Sequence, residues 1–173
     1  MTDVKIKRHS GEQIPVMLEE LADVYIEAHA GNDDESDEMF SRPSFITRTA
    51  NQAEQPGFEV VTARADDVLT GFCFGYMFPP GKWWSDGPPL PSEVLDVSKI
   101  AVIELAVQPV FRRQGLGRKL LDELLAGRHE DYATLAATPG SIAHSMYLRW
   151  GWSNLGRFED PPVMDALLVS LRQ

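Results

Sequence analysis

Two glycines lie among several cationic side chains in the middle of the chain, in a segment whose residue types are suited to binding an anion. Residues 107–121 read VQPVFRRQGLGRKLL. Gly115 and Gly117 lack the Cβ atoms that would keep an anion away from the backbone. The positive charge comes from Arg112, Arg113, Arg118 and Lys119. Phosphate is the ligand that fits this combination of close backbone approach and positive charge.

The elements predicted around these glycines would direct backbone N–H groups to the same place. An apolar run ending at Val107 predicts a strand, and the leucines from Leu116 onward follow a helical spacing. The first N–H groups of a helix have no partner inside it, and the helix dipole adds positive potential there. A helix start that carries arginines only for solubility is the simpler alternative. We favour the anion site, because the cluster stands in a chain of net charge -10.

Two familiar phosphate loops do not match this segment. The P-loop needs the sequence Gly-Lys-Ser/Thr after four spacer residues, which is absent here. The dinucleotide fingerprint needs a third glycine, where this chain has Leu120. The predicted phosphate site is therefore of another kind.

Glu104 is the one acid in the apolar run KIAVIELAV, residues 99–107. A carboxyl group in such a strand loses water, which raises its pKa towards neutral pH and suits it to general-base catalysis. The alternative role is structural, since the same carboxylate could cap backbone groups or pair with a buried arginine. Both interpretations stay open at the level of sequence.

The composition indicates one acidic globular domain. The chain has 173 residues, of which 43% are apolar, and its formal net charge is -10. This length suffices for one hydrophobic core, so we expect a single domain over residues 1–173. The negative charge argues against general binding to nucleic acid or to anionic membranes, and it suits a cationic substrate.

The N-terminal sequence and the cysteine count favour a cytoplasmic protein without a metal. MTDVKIKRHSGEQ lacks the apolar segment of a signal peptide, and no stretch approaches the length of a membrane span. Cys73 is the only cysteine, so we expect a buried packing thiol and neither an internal disulfide nor a cysteine-based zinc site. His9, His29 and His129 show no spacing typical of metal ligands.

Strands and helices alternate along the chain without internal repeats. Strands are predicted at 3–9, 58–64, 68–78, 99–107, 131–138, 151–158 and 163–171. Helices are predicted at 14–29, from 116 to about 126, and at 140–150. The order predicts an α/β (α+β) fold, with a mixed, mostly antiparallel sheet of about six or seven strands and helices on both faces.

Two segments each allow two interpretations. Acids crowd at Asp33, Asp34, Glu35, Asp37 and Glu38. A solvated helix start accounts for these acids, and a rim that attracts a cationic substrate is the alternative. Residues 79–91, PPGKWWSDGPPLP, predict a stiff loop in which Trp83 and Trp84 either anchor it to the core or cover a substrate pocket.

The glycine segment resembles the acetyl-coenzyme A motif of the GCN5-related N-acetyltransferase (GNAT) family. That signature is Arg or Gln, two residues, Gly, one residue, then Gly or Ala, and it matches residues 112–117. Downstream, MYLRWGW resembles the family's aromatic element, with Tyr147 and Gly151 in place. Two motifs at the expected separation, with strands in the expected order, extend the resemblance over nearly the whole chain.

The resemblance implies a GNAT fold with acetyl-CoA as cosubstrate. In such folds the strand equivalent to residues 100–107 splays from the next strand, and the pantetheine arm pairs with the backbone there. The implied residues of this strand are Leu105, Ala106 and Val107. The pyrophosphate would lie on the loop and the helix start that follow. The implied residues there are Arg112, Arg113, Gln114, Gly115, Leu116, Gly117 and Arg118.

The resemblance also implies catalytic roles. A backbone N–H near Val107 would polarise the thioester carbonyl. Tyr147 matches the tyrosine that lies near the sulfur of the cosubstrate and protonates the departing thiolate. Glu104 is the candidate base, directly or through water, although family members share no universal base position. His144 could assist Tyr147, but a packed or surface histidine is the simpler interpretation.

One departure from the family pattern concerns the start of the tyrosine helix. An asparagine is often found there, and this chain has Gly140 and Ser141 instead. One hydrogen bond to the pantetheine arm or near the sulfur therefore lacks its usual donor. Thr138 or Ser141 could replace it.

The sequence thus predicts an acetyl-CoA-dependent N-acetyltransferase that acts by direct transfer on a primary amine of a small molecule or protein. The alternative, from another class, is a CoA-binding or acyl-CoA-binding sensor or interaction module without transferase activity. Tyr147 and Glu104 favour catalysis, because a sensor needs neither residue. The expected partner is an amine-bearing acceptor, without nucleic acid or membrane, and a homodimer is among the oligomeric states left open.

Overall fold

The computed structural model describes residues 3–31 and 37–172, and the elements below lie within those ranges. The strands are β1 (Val4–Ser10), β2 (Glu59–Ala65), β3 (Val68–Phe78), β4 (Lys99–Val107), β5 (Tyr132–Ala137), β6 (Ser153–Arg157) and β7 (Asp165–Ser170). The α-helices are α1 (Ile14–His29), α2 (Arg42–Gln52), α3 (Ser92–Leu95), α4 (Leu116–Leu125) and α5 (Ile142–Arg149). None of the helices in this part of the chain is long and apolar enough to cross a membrane.

The described strands form one seven-stranded sheet in the order β1-β2-β3-β4-β5-β7-β6. The pair β4 and β5 is parallel, whereas β1 with β2, β2 with β3, β5 with β7 and β6 with β7 are antiparallel. This confirms the predicted mixed, mostly antiparallel sheet. The parallel pairing runs from Lys99 with Tyr132 to Ala101 with Thr134, while β4 continues to Val107. Pairing that ends before the strand does is the pattern expected of a splay.

The chain divides into two compact units. The first unit comprises Met1–Tyr76 and Glu104–Ala126, and the second comprises Met77–Ile103 and Gly127–Gln173. The first unit therefore carries the glycine segment and Glu104. The second carries the tryptophan loop and Tyr147.

In the first unit, the strands predicted at 58–64 and 68–78 correspond to β2 and β3, which pair as a hairpin. Asp66 and Asp67 connect the strands with φ angles of 51° and 66°, the left-handed conformation that a two-residue hairpin turn requires. β1 pairs with β2 from Val4 with Ala65 to Ser10 with Glu59. This register forms an antiparallel meander at one end of the sheet.

The helices of the first unit match the prediction unequally. α1 has the bounds that the apolar spacing predicts, with Pro15 in its first turn. α2 has no counterpart in the prediction. It begins at Arg42 after the cap Ser41, whose Oγ accepts the N–H of Ser44. The acids expected to start a helix lie earlier: Asp37 caps a short 3-10 turn, and residues 33–35 fall outside the described part of the chain.

An aromatic cluster forms part of the first unit's core. The fully buried Tyr25 of α1 stacks on the fully buried Phe45 of α2, with 4.3 Å between ring centroids. The chain of rings continues from Phe45 to Phe72 and Phe74 of β3. Cys73 lies between the last two and is fully buried, as expected of a packing thiol, and burial raises the pKa of its thiol far above the usual range.

In the second unit, the proline-rich loop at 79–91 is anchored through the indole of Trp84. The Nε1–H of Trp84 donates to Thr134 Oγ1 at 3.1 Å, and its ring packs edge-on against Phe78 and Phe158. Trp83 donates instead to the carbonyl of Pro88, within its own loop. These contacts favour the interpretation of a loop anchored to the core.

A buried lysine holds the short helix α3, which the sequence did not predict. Lys99 is fully buried at the start of β4. Its Nζ donates to the carbonyls of Val94, Leu95 and Val97 at 3.2, 3.1 and 2.6 Å. Desolvation lowers the pKa of this ammonium. The ammonium caps the carbonyls at and just after the end of α3.

Candidate active site

The glycine segment forms an exposed loop that leads into the uncapped N-terminus of α4. Residues 112–115 are exposed to solvent. Gly115 is the N-terminal cap residue, with φ of 77°, and no side chain caps the helix. A Cβ at Gly115 would meet nothing within 4 Å, so the protein's own packing does not demand a glycine there. The left-handed backbone does favour one, and Arg113 shares that conformation with φ of 63°.

This geometry fits the predicted anion site. The N–H groups in the first turn of α4 have no acceptor within the helix, and the helix dipole favours negative charge near them. Leu116 is buried and fixes the start of α4, while Gly117 and Arg118 occupy the same turn. A Cβ at Gly117 would reach ordinary contact distance from Leu105 and Val107, at 3.9 and 4.0 Å. The loop, the helix start and the end of β4 are thus brought together within the first unit.

The arginines of the segment differ in what they contact. Arg112 donates from Nε to the carbonyl of Val107 at 3.2 Å and from Nη2 to the carbonyl of Ala28 at 2.6 Å. It therefore fastens the loop to the end of β4 and to the end of α1. Arg118 pairs with Asp122 one turn along α4, at 3.5 Å on the surface. Gln114 reaches the carbonyl of Val110 at 3.4 Å.

The last residues of β4 lie directly before this loop. Ala106 is buried, whereas Leu105 and Val107 are half-buried. The N–H of Gln108 donates to the carbonyl of Thr70 at 2.9 Å and so ties the strand end to β3. The residues expected to face the pantetheine arm and those expected to bind the pyrophosphate are consecutive parts of one strand, turn and helix.

Glu104 has a strongly perturbed carboxyl group. Burial raises its pKa from the ordinary value of 4.5 to about 8, against an opposing effect of the positive charge of Arg48. The residue as a whole is half-buried. The predicted elevation of this pKa is confirmed. The effect of Arg48 could not be predicted from the sequence, because its helix α2 was not predicted.

Because the pKa of Glu104 is raised in the folded protein, we expect the free energy of unfolding to depend on pH. Between about pH 4.5 and 8 the folded protein holds a proton on Glu104 that the unfolded chain has released. The stabilisation that this proton gives the folded protein is complete below about pH 4.5 and is lost as the pH rises through about 8. The free energy of unfolding therefore falls between these two pH values. Glu104→Gln cannot ionise and should lose less stability, with a difference of at most about 1.4 kcal/mol per pH unit.

Urea unfolding of both proteins from pH 5 to 9 measures this difference. Glu12→Gln, at an exposed position in the turn before α1, is the matched control and should follow the parent curve. Parallel curves for Glu104→Gln and the parent would show that Glu104 ionises as freely in the folded protein as in the unfolded chain.

Tyr147 lies in α5 of the second unit, with its ring fixed by two tryptophans. The side chain is 7% exposed. Its ring centroid lies 5.7 Å from those of Trp150 and Trp152, and its carbonyl accepts the N–H groups of both residues. Gly151 between them has φ of 96°, which explains the glycine of this aromatic element. Tyr147 belongs to the second unit and Glu104 to the first.

His144, one turn before Tyr147, is a packed histidine. Its Nε2 lies 3.0 Å from Oδ2 of Asp165, and both residues are buried. Asn154 and Arg157 also donate to this carboxylate, and together with His144 they lower its pKa despite the opposing effect of burial. The network ties α5 to β6 and β7.

The hydroxyl of Ser141 caps the N-terminus of α5. Its Oγ accepts the N–H of His144 at 3.1 Å and caps the helix. This serine therefore fills the position where the family pattern often has asparagine, with a local role. Within residues 3–31 and 37–172, no group of three or more His, Cys, Asp or Glu side chains is arranged to hold a metal ion.

Comparison with known proteins identifies the family. The model of the Acetyltransferase (GNAT) family matches residues 18–152. A GCN5-like protein acetyltransferase of Mycobacterium tuberculosis is 33% identical over 139 residues, which cover 69% of this chain and 68% of the relative. PH1933 from Pyrococcus horikoshii shares the fold with a TM-score of 0.69 and 22% identity, over 99% of this chain and 100% of that chain.

A second solved structure of similar fold contains coenzyme A. The PaiA N-acetyltransferase from Thermoplasma acidophilum, in complex with coenzyme A, has a TM-score of 0.62 and 17% identity, over 97% of this chain and 99% of that chain. The predicted fold class and the resemblance drawn from the two sequence motifs are confirmed. Since the family model spans most of the sequence, this chain belongs to the GNAT family and is an acyltransferase.

Proposed function

We propose that the protein transfers an acetyl group from acetyl-CoA directly to a primary amine of a small molecule or protein. The observation that carries this proposal is the uncapped N-terminus of α4 behind the left-handed Gly115, in a chain that belongs to an acetyltransferase family. The complex of a structural relative with coenzyme A supports the same cosubstrate.

The first unit supplies the residues that would hold the cosubstrate. The N–H groups from Arg113 to Arg118 would bind its pyrophosphate, and the backbone of Leu105, Ala106 and Val107 would pair with its pantetheine arm. Arg112 would support this site indirectly, because its guanidinium already binds the carbonyls of Val107 and Ala28. Acetyl-CoA supplies an acetyl group that is activated as a thioester.

Two side chains would move protons. Glu104 accepts one from the acceptor's ammonium group, directly or through water, and its pKa of about 8 places this carboxyl near the pH at which a base is most effective. The Oη of Tyr147 donates a proton to the sulfur that leaves. The N–H of Val107 would polarise the carbonyl under attack.

A CoA-binding sensor without transferase activity is the second candidate, since the glycine segment alone would serve it. The experiment that separates the two is incubation with acetyl-CoA and a panel of amines, read as release of free thiol. If the protein is an acetyltransferase, thiol release should require an amine, and its rate should saturate as the amine concentration rises. Thermal stabilisation by CoA without amine-dependent thiol release from any member of the panel would favour the sensor.

A further inference from the structure

An open hollow lies along one face of α2 in the first unit. Its volume is about 360 Å³. It is lined by Pro43, Ser44, Thr47 and Arg48. The spacing of these residues places two hydroxyl groups and one guanidinium group on the same side of the helix. The hollow therefore offers hydrogen-bond donors and one positive charge to a small polar molecule.

Arg48 is held in a defined orientation at this hollow. Its Nη1 donates to the carbonyl of Met39 at 3.0 Å, and its Nη2 donates to Oη of Tyr25 at 3.5 Å. Tyr25 is itself fixed by its buried stack on Phe45. A guanidinium has five N–H donors, and these two contacts leave further donors for a ligand. Such a preoriented fork matches the geometry of a carboxylate.

The same guanidinium lies within electrostatic reach of Glu104. Its positive charge acts on that carboxyl and lowers its pKa in opposition to burial. A substrate with only positive charge would be repelled by Arg48 as it approached Glu104. A substrate that also carries an anion would instead gain an ion pair.

We propose that the acceptor is a small amine that also carries a carboxylate, of the amino-acid class, and that Arg48 binds this carboxylate in the hollow of α2. The hydroxyls of Ser44 and Thr47 are further donors to the same group. This inference rests on the proposed acetyl transfer, in which Glu104 receives the proton of the amine. It replaces the purely cationic substrate that the net charge of the chain suggests.

The test uses ω-amino acids with two to six carbons, each paired with its own carboxamide, as acceptors for acetyl-CoA. The longer pairs keep the amine far from the group that changes, so amine basicity stays matched within a pair. The parent should prefer the carboxylate member by tenfold or more in kcat/KM. Arg48→Gln should raise KM for that member about tenfold, with KM for the carboxamide and the thermal shift caused by CoA unchanged.

Arg42→Gln is the matched control, because Arg42 lies on the same helix and pairs with Glu19 and Asp23. It should leave the preference intact. Calorimetric titration of the CoA complex with the preferred amino acid gives a second readout, in which Arg48→Gln should weaken binding to the same degree.

The possible results distinguish a failure of the role of Arg48 from a failure of the proposed acetyl transfer. Equal use of carboxylate and carboxamide members, or a preference that survives in Arg48→Gln, overturns the role of Arg48 and leaves acetyl transfer standing. A loss of CoA binding in Arg48→Gln also overturns it, since Arg48 would then serve the cosubstrate. Absence of transfer to every amine overturns the proposed function, and this inference with it.

Discussion

Gly115→Val is expected to abolish the thermal stabilisation that CoA gives the parent protein. A Cβ at this position meets no atom of the rest of the chain within 4 Å, so there is open space where the side chain begins. It does place a branched side chain at the N-terminal cap of α4, where the pyrophosphate would approach the backbone, and it strains a φ of 77°. At a CoA concentration about 100 times the dissociation constant, the stabilisation at stake is about 2.7 kcal/mol.

Gly127→Val provides a control for the strain itself. Gly127 follows the other end of α4, has φ of 73° and likewise meets nothing within 4 Å of a built Cβ. Both variants should lose about 1–2 kcal/mol of stability without ligand, because both force a branched residue into the left-handed region. Only Gly115→Val should lose the response to CoA, measured as the shift from each variant's own melting temperature. An undiminished shift in Gly115→Val would remove the helix N-terminus from the cosubstrate site.

Tyr147→Phe is expected to lower kcat by about 10- to 100-fold, at or just below the lower end of the roughly 100- to 10,000-fold range for proton transfer by a positioned side chain. Phenylalanine keeps the ring that packs between Trp150 and Trp152, so α5 should remain as stable as in the parent. The affinity for CoA should change little, because only one hydroxyl is removed.

Tyr132→Phe removes a hydroxyl from a half-buried tyrosine of the second unit and should leave kcat unchanged. The comparison is made with steady-state kinetics at saturating acetyl-CoA. Equal turnover in Tyr147→Phe and the parent would reduce Tyr147 to a residue that packs α5.

The elements that sequence alone predicts well are those with a long apolar pattern. β4 has the bounds that its run of apolar residues indicates, and α1 has those of its helical spacing. α2 escaped prediction because its buried side chains are few, chiefly Phe45 and Thr49, and its sequence is otherwise polar. α3 spans a single turn, which is too short to show a period.

Parts of the candidate site could likewise be predicted from the sequence, and other parts could not. The glycine loop could be located from the order of strand, glycines and helix, because these are local features of the chain. Contacts between distant segments could not, and two of them change the interpretation. Arg112 binds the carbonyl of Ala28 at the end of α1, and Arg48 of the unpredicted α2 acts on Glu104. Charge in the sequence alone does not reveal which arginines face a ligand.

Mass spectrometry of a single reaction mixture distinguishes direct acetyl transfer to an amine from the alternatives. The protein is incubated with acetyl-CoA and an ω-amino acid, and the molecular masses of the acceptor and of the intact protein are measured. Direct transfer should give an acceptor that has gained one acetyl group on its nitrogen, in equal amount to the CoA released, and a protein of unchanged mass. CoA release without an acetylated acceptor, or an acetylated protein that passes its acetyl group to the amine in a second step, would contradict it.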